Sequence, residues 1–313
     1  MRKFIFKSVF FIGLTSAIIG CGVLFTNIYV TEKAEFNLNQ NSKYIILGHS
    51  HSECAYNDSL INDFSNLSQS GESYFYTYQK LKMILGQNIH IKAVFIELSN
   101  NQIIDQMNEW IWGDKYLSHY YSTYSPFMTL ADNKLIAEHN IFGLLNVLPV
   151  SFKNNFLNIF TNNLNYSNKI GSYNYLVRDK TDSLLSADDY LKDSIDYQKG
   201  VSIRNIEYLD KIIDYCLKSG KKVYLLRSPL HPKYVGYKNE SIFKGIISSK
   251  YSKIDFFDFS KFPLLNSEFG DLDHLNYRGA KIYSIWFNKL IVEGLLTQKN
   301  KQDFIDRRMP KPL

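Results

Sequence analysis

The feature that most constrains this chain is an uncharged, apolar stretch close to its N-terminus. No charged residue occurs from Ser8 to Val30, and Phe, Ile, Leu, Val and Gly dominate the stretch. A transmembrane helix needs about 20 mostly apolar residues, so this segment is long enough to cross a bilayer. Because Arg2, Lys3 and Lys7 precede it, the positive-inside tendency places the N-terminus in the cytosol. We therefore expect a single-pass protein of the bacterial inner (cytoplasmic) membrane, with its main domain outside the cytoplasm.

Two alternatives for this segment also export the main domain. A cleaved signal peptide is the first, although its apolar region is usually only about 7–15 residues long. Lipidation is the second, because Ile18-Ile19-Gly20-Cys21 resembles a bacterial lipobox with Cys21 as the anchored residue. In every case residues 1–30 form the anchor or signal segment, and the polar residues 31–42 are expected to form a tether.

The composition of the remaining chain excludes several classes of protein. With 313 residues, 45% of them hydrophobic, the chain can bury a substantial core without disulfides or metals. The formal charge is +6, but the first seven residues supply three of these charges, which leaves too little to predict nucleic-acid binding. The cysteines Cys21, Cys54 and Cys216 are odd in number and lack zinc-site spacing. We expect neither a disulfide framework nor a structural metal.

Short apolar runs that alternate with helical patterns predict the fold of the main domain, residues 43–298. Runs typical of buried strands occur at residues 43–48, 93–98, 222–227 and 254–258. Helical spacing follows them, and the last helix is expected to begin after Asn276 as its N-cap. Strands that alternate with helices predict an α/β domain, with a parallel sheet covered by helices on both faces.

Between about residues 102 and 200 this alternation gives way to a stretch rich in Tyr, Phe and Asn. We expect a loop-rich insertion, whose aromatic residues either pack together or form a substrate surface. In the second case Trp110 and Trp112 are candidate contacts for sugar rings. Residues 299–313 are expected to form a polar C-terminal tail.

The loop after the first predicted strand carries a candidate nucleophile. In open parallel sheets, ligands bind at the carboxyl ends of the strands. Gly48 would let the backbone turn, so that Ser50 stands at the start of a helix where backbone N–H groups can stabilise an oxyanion. A serine needs a base within hydrogen-bond reach. His274 can accept the proton, and Asp271 can hold its imidazole ring.

The same loop leaves a metal-dependent alternative open. His49 and His51 could project from one side of an extended segment, and residues 48–51 resemble the last motif of calcineurin-like phosphoesterases. Such enzymes need several further ligands from earlier blocks, whereas little except the anchor precedes His49. We therefore predict no metal. Loop-stabilising hydrogen bonds are the expected role of both histidines, with substrate contact as an alternative for His51.

Four ordered segments resemble the signature blocks of the SGNH/GDSL hydrolase family. Residues 48–52 (GHSHS) resemble the first block, with its nucleophile, and residues 66–73 (NLSQSGES) resemble the second, with its glycine. Residues 97–101 (ELSNN) are similar to the third block, with its asparagine, and residues 271–274 match the DxxH block. Apart from the insertion, the resemblance covers roughly residues 43–296.

This resemblance implies a three-layer α/β/α sandwich with a parallel, flavodoxin-like sheet. It implies that Ser50 is the nucleophile and that Asp271 and His274 form its base pair. It also implies an oxyanion hole, which would comprise the backbone N–H groups of Ser50 and Gly71 and the side chain of Asn101 (or Asn100). No cofactor is required by this chemistry.

The chain departs from the family pattern at two places, and the departures bear on its expected function. The family usually has Asp at the position of His49, and glycines often stand at the positions of Ser99 and Asn100. Such divergence is similar to membrane-anchored, envelope-modifying branches of the family that act with membrane-bound acyltransferases.

We therefore expect an esterase or O-acyltransferase that forms an acyl-enzyme on Ser50. Its expected substrate is an acylated, first of all acetylated, carbohydrate or other envelope polymer. A membrane-bound acyltransferase is a candidate partner. An inactive glycan-binding or envelope-assembly protein with the same fold is the alternative.

Overall fold

The computed structural model describes residues 2–187 and 200–311, and the chain divides into two compact units. The first unit comprises Met1–Asn37 and Glu109–Lys169, and the second comprises Leu38–Asn108 and Ile170–Leu313. Residues 188–199 of the expected insertion and residues 312–313 of the expected tail lie outside the described residues. The segment expected as one insertion is therefore shared between both units.

The second unit is built on a five-stranded parallel sheet. Its strands are β1 (Tyr44–Leu47), β2 (Phe64–Asn66), β3 (Ala93–Glu97), β4 (Lys222–Arg227) and β5 (Asp255–Asp258), in the order β2-β1-β3-β4-β5. In register, Ile46 of β1 pairs with Phe95 of β3, and Phe95 pairs with Tyr224 of β4. The predicted α/β fold with a parallel sheet is confirmed. Strand β2 was not predicted, because three residues are too few to show a pattern.

The helices account for most of the chain. In chain order they are α1 (Arg2–Lys33), α2 (Ser50–Ala55), α3 (Tyr74–Gln87), α4 (Glu109–Trp112), α5 (Asp114–Tyr124), α6 (Leu130–Phe160), α7 (Thr181–Ser186), α8 (Ile203–Lys218), α9 (Glu240–Lys250), α10 (Tyr277–Val292) and α11 (Lys301–Asp306). Helices α1, α4, α5 and α6 belong to the first unit, and the others belong to the second.

The strands are buried because both faces of the sheet carry apolar side chains. Ile46 and Phe95 belong to one apolar cluster with Phe287 of α10, whose ring centroid lies 6.0 Å from that of Phe95. Successive side chains of a strand point to opposite faces. Their neighbours Ile45 and Val94, which are fully buried, therefore face the other side of the sheet. Continuous apolar runs are what such doubly buried strands require.

The C-terminal segment differs from the expected polar tail. Residues 301–306 form α11, and its Phe304 and Ile305 are buried in the same apolar cluster as Phe287. The segment is polar on average, but these two adjacent apolar residues supply enough contact to dock a helix of six residues. The segment expected as a tether, residues 31–42, also packs against the protein. Its Phe36 is fully buried in the first unit and stacks on Tyr166.

The first unit is helical, so the expectation of a loop-rich insertion is wrong. Thr129 and Asp132 form a capping box that starts α6, which then extends to Phe160 with a break at Asn140. Frequent Asn residues, together with Pro149, lower the helix propensity of this segment and interrupt the helical periodicity of its apolar residues. Contacts with α1 and α5 supply the stability that propensity does not.

Helix α1 agrees with the predicted membrane anchor. Its 32 residues would span about 48 Å at 1.5 Å per residue, against about 30 Å for the hydrocarbon core of a bilayer. Both α1 and α6 are long and apolar enough to cross a membrane. The apolar side chains of α1 are largely exposed, as in Phe4, Phe11 and Phe25, and a membrane would cover them.

Candidate active site

Ser50, His274 and Asp271 form a continuous hydrogen-bond chain at the carboxyl edge of the sheet. Ser50 Oγ lies 2.8 Å from His274 Nε2, and His274 Nδ1 lies 2.8 Å from Asp271 Oδ1. With its proton on Nδ1, the imidazole donates to Asp271 and accepts from the Ser50 hydroxyl. This arrangement has the geometry of a nucleophile, a base and an orienting carboxylate.

The position of Ser50 follows from the turn between β1 and α2. A Cβ at Gly48 would overlap the side chains of Ser52 and Glu97, so only glycine allows this approach to β3. His49 is the N-cap of α2, and its Nδ1 accepts from the backbone N–H of His51 at 3.3 Å. Ser50 is therefore the first helical residue and borders the edge where the strands end.

The other end of α2 is held by the second predicted block. Asn66, at the end of β2, donates from its side chain to the carbonyls of Ser52 and Tyr56, at 2.9 and 2.8 Å. The Ser52 carbonyl also accepts from the backbone N–H of the C-cap Tyr56 at 3.2 Å, whereas the Tyr56 carbonyl lies at the helix end, where no helical N–H can satisfy it. Asn66 is fully packed, with 1% of its surface exposed. The short nucleophile helix is thus fixed at both ends.

The base is positioned by the turn that precedes α10. Asp271 Oδ1 also accepts from the backbone N–H groups of Asp273 and His274, both at 2.9 Å, so carboxylate and imidazole share one rigid turn. Asn276 then caps α10 by accepting from the N–H groups of Arg278 and Gly279. The predicted N-cap is confirmed, and it fixes the turn immediately after His274.

The electrostatics of this pair favour a charged imidazole and an ionised carboxylate. Burial disfavours the charged form of His274, but the hydrogen bond to Asp271 and the negative charges of Asp271 and Asp273 outweigh it and raise the pKa of His274. Burial likewise disfavours ionised Asp271, while His274 and Arg178 hold the pKa of this carboxyl below its usual value. The pair can therefore stabilise the cation that forms when Ser50 loses its proton.

Sequence reasoning missed Arg178, which lies in the expected insertion. Its guanidinium forms an ion pair with Asp271 Oδ2 and lies 3.2 Å from His274 Nδ1. The segment around it is fixed by backbone hydrogen bonds, from Tyr277 N to Leu176 O and from Lys180 N to Gly270 O, both 2.9 Å. One arginine in a segment without periodicity gave no signal that could have identified it.

His49 and His51 lie beside the His274 imidazole and are held uncharged. Burial, and then the nearby charge of His274, lower the pKa of His49 to about 3. Burial and the charges of His49 and His274 lower the pKa of His51 well below its usual value. The His51 ring centroid lies 5.3 Å from that of His274. His51 is 2% exposed, and it contributes packing rather than charge to the site.

The two candidate asparagines of the third block have different surroundings. Asn100 is fully buried and accepts from Arg227 Nη1 at 2.9 Å, while its amide donates to Glu240 and Asn239. Asn101 instead accepts a hydrogen bond from Ser99 Oγ at 2.7 Å on its Oδ1.

Ser99 connects Asn101 to the nucleophile loop. Its Oγ lies 3.3 Å from His49 Nε2 and 3.4 Å from His51 Nδ1. Because Ser99 engages the oxygen of the Asn101 amide, the NH₂ group of Asn101 points away from Ser99. Of the two asparagines, Asn101 is the one that hydrogen-bonds the side chain of His49, the residue before Ser50.

Gly71 lies in a turn that is joined to the nucleophile loop. Its φ of +76° is a left-handed conformation that favours glycine. Gln69 N donates to Gly48 O at 3.0 Å, which ties this turn to the end of β1. The adjacent Glu72 pairs with Lys80 at 2.6 Å, and both side chains are completely buried. The backbone of Gly71 is thereby held rigidly next to the loop that carries Ser50.

Trp110 and Trp112 lie in the first unit, whereas Ser50, His274 and Asp271 lie in the second. Trp110 stacks on Tyr116 with ring centroids 5.2 Å apart, and Trp112 stacks on His139 at 3.8 Å. Both indoles thus have aromatic contacts within their own unit. Their expected role in substrate contact stays a prediction.

Two further features of the second unit bear on its chemistry. Among residues 2–187 and 200–311, no group of three or more His, Cys, Asp or Glu side chains could hold a metal ion. A cavity of about 780 Å³ lies beside β4 and β5, lined by Arg227, Leu230, Phe262 and Phe269 among others. Arg227 at its wall is paired with Glu240 and Asp258, at 2.7 and 2.5 Å. The side chains of Ser50, His274 and Asp271 do not line this cavity.

Comparison with known proteins gives limited information. A model of an uncharacterised protein family matches residues 175–296, which is less than half of the chain. The matched region begins just before Arg178 and includes Asp271 and His274, but it does not include Ser50. No curated protein matches the chain significantly.

Proposed function

We propose that this chain is an exported, membrane-anchored serine esterase or O-acyltransferase of the SGNH/GDSL type, which acts on acyl groups of an envelope carbohydrate. Ser50 attacks the acyl carbonyl while His274 accepts its proton. The oxyanion is stabilised by the backbone N–H groups of Ser50 and Gly71 and by the Asn101 amide. His274 then protonates the leaving alkoxide, and water or a sugar hydroxyl takes the acyl group from Ser50.

The observation that carries this proposal is the hydrogen-bond chain from Ser50 through His274 to Asp271, with both links at 2.8 Å. Two features of the fold support it. The strand order 2-1-3-4-5 is that of flavodoxin-like, doubly wound sheets, in agreement with a three-layer α/β/α sandwich. The nucleophile follows β1, next to the point where the strand order reverses, which is where such sheets bind ligands.

Helix α1 supports the expected location of this activity. It is long and apolar enough to serve as a single anchor, and the basic residues before it favour a cytoplasmic N-terminus. Under this topology the site would face envelope polymers outside the cytoplasm. A membrane-bound acyltransferase could then supply the acyl group.

The proposal is tested by labelling the full-length protein in detergent with a fluorophosphonate, which reacts with activated serines. We expect labelling of the wild type and its loss in Ser50→Ala and His274→Ala. Ser248→Ala removes an exposed serine of α9 and serves as the control, which should label normally. Wild-type protein that is folded by circular dichroism yet shows no Ser50-dependent labelling would exclude this mechanism.

A second measurement separates hydrolysis from transfer. Unlabelled protein is incubated with p-nitrophenyl acetate, and release of acetate is compared with acetylation of an added oligosaccharide. An esterase gives free acetate at the same rate with and without the sugar. A transferase gives an acetylated sugar at the expense of free acetate.

A further inference from the structure

The last turns of α6 have an outward face that is aromatic. Phe156 and Phe160 on this face are 54% and 80% exposed. Phe156 stacks on Phe160, with ring centroids 6.4 Å apart, and Phe152 lies 6.3 Å from Phe156 on the preceding turn. We call Phe152, Phe156 and Phe160 the aromatic face. Exposed apolar surface of this extent marks a site of contact with a membrane or another protein.

The aromatic face lies directly beside the membrane-anchor helix. A Cβ added at Gly22 of α1 would meet the ring of Phe152 at 2.7 Å. Five residues further along α1, Asn27 Oδ1 accepts from the Asn155 side chain at 2.7 Å. The two helices therefore run in the same direction, and the residues of α6 from Phe152 onward lie at the level of α1 where these contacts occur.

That level corresponds to the end of the apolar run of α1. The run extends to Val30 and is followed at once by the charged residues Glu32 and Lys33. A spanning α1 would leave the hydrocarbon near this point, so Phe156 and Phe160 would lie where acyl chains meet headgroups. Lys153, which is exposed between these aromatic residues, suits the headgroup region because its long stem lets the charge reach water.

Helix α6 as a whole is long and apolar enough to cross a membrane, but polar residues recur toward its C-terminal end. Between Ile141 and Phe160 it contains Asn146, Ser151, Lys153, Asn154, Asn155 and Asn158. The break at Asn140 separates this second half from the polar first half, which carries Asp132, Lys134 and Glu138.

From this geometry we infer that the aromatic face is embedded in the outer surface of the lipid bilayer, next to the point where α1 leaves it. The inference rests on α1 acting as the anchor and does not depend on the chemistry of Ser50. Because α1 packs directly on α6, anchoring brings the aromatic face to the lipid surface without a further binding step. The first unit is then held on the membrane by two elements instead of one.

The test uses the full-length chain with Cys21→Ser, because the other two cysteines are buried. Single cysteines replace Phe156 or Phe160, and each is labelled with the environment-sensitive fluorophore NBD. Phe10→Cys in α1 is the membrane-inserted reference. Ile203→Cys in α8, which is 70% exposed, is a control matched in exposure to Phe160. The protein is reconstituted into phosphatidylcholine and phosphatidylglycerol vesicles, with or without lipids that carry a nitroxide near the headgroup.

We expect nitroxide lipids to quench the labels at positions 156 and 160 about twofold or more, and to leave the label at position 203 unchanged. The inference would be overturned if nitroxide lipids quenched the label at position 10 but not the labels at positions 156 and 160, and if soluble iodide still quenched those two labels. Fluorescence at positions 156 and 160 that responds to the protein-to-lipid ratio but not to nitroxide lipids would assign the aromatic face to a second copy of the chain, and would also overturn it.

Discussion

Arg178 and Asp271 form an ion pair on the side of the His274 imidazole that faces away from Ser50. The arginine comes from the segment before α7, and the aspartate comes from the turn before α10. The pair therefore joins two parts of the second unit that are distant in sequence. The positive charge has two opposing effects, because it fixes the carboxylate that orients His274 and also disfavours the protonated imidazole.

The first prediction concerns the pH dependence of activity in Arg178→Gln. His274 must be uncharged to act as the base, and its pKa lies above its usual value, so activity is lost as the pH falls through this raised pKa. Since Arg178 disfavours the charged imidazole, its removal raises the pKa further. We expect the acid limb of kcat/KM for p-nitrophenyl acetate to move to higher pH.

Arg278→Gln is the matched control for this measurement. Arg278 is 45% exposed and pairs with Asp179 at 2.7 Å, so its loss removes a neighbouring positive charge that is not bound to Asp271. Its acid limb should coincide with that of the wild type. An Arg178→Gln limb that stays in place or moves to lower pH would contradict the assigned electrostatic role.

The second prediction concerns Asp271→Asn. The amide removes the charge that favours the Nδ1–H tautomer, and with it the support for the imidazolium. In serine proteases the equivalent change costs about 10⁴-fold in kcat, and we expect a loss of about 10³–10⁴-fold here, with Ser50 still present. Asp273→Asn removes the adjacent carboxylate and should cost much less. Steady-state rates measure both variants, and equal losses would argue against Asp271 as the orienting residue.

The third prediction separates Asn101 from Asn100. Asn101→Ala should lower kcat by about 10²–10³-fold, as expected for an oxyanion donor, with little change in Tm. Asn100→Ala leaves the buried Arg227 with one acceptor fewer, so it should cost about 1–3 kcal/mol of stability. Thermal unfolding and kcat are measured for both. If Asn100→Ala lost activity while Asn101→Ala lost only stability, the two assignments would be reversed.

The fourth prediction concerns Glu97, the buried last residue of β3. Burial raises the pKa of this carboxyl to about 7, although hydrogen bonds from Ser228 favour its ionised form. The folded state thus holds the proton more tightly than the unfolded state does. The resulting stability is fully present below the ordinary pKa of about 4.5 and is lost as the pH rises through about 7, and it amounts to about 3 kcal/mol.

Glu97→Gln keeps the shape of the protonated carboxyl and should remove this dependence. We expect the Tm of the wild type to fall relative to that of Glu97→Gln between pH 5 and pH 8. Glu207→Gln, at an exposed glutamate paired with Arg204, is the control. A constant difference in Tm between wild type and Glu97→Gln would show that the Glu97 carboxyl does not change its protonation state between pH 5 and pH 8, and would contradict the prediction.

The parts of the fold that could be predicted are those that local sequence specifies. Strands β1, β3 and β4 are mostly apolar runs because they are buried on both faces, and Asn276 is a cap whose hydrogen bonds are made within three residues. Asp271 and His274 share one such local turn. Ser50 follows a glycine at a strand end, which limits where it can lie.

The parts that could not be predicted depend on contacts between distant segments. Arg178 acquires its role only when the segment before α7 docks on the turn before α10. Helix α6 is stabilised by packing against α1 and α5 despite its many asparagines, and α11 is stabilised by the burial of two side chains. In each case the local propensity is weak, and the tertiary contact decides the structure.

The separation of Ser50 from His274 by 224 positions has a consequence for the biogenesis of the protein. Synthesis proceeds from the N-terminus, so the serine leaves the ribosome well before the histidine. At 5–20 residues per second, the interval is roughly 10–45 s. Throughout it the nascent polypeptide carries the Ser50 hydroxyl without the imidazole to which it hydrogen-bonds in the folded protein. Under the proposed mechanism, acyl transfer is therefore delayed until the C-terminal helices have been made.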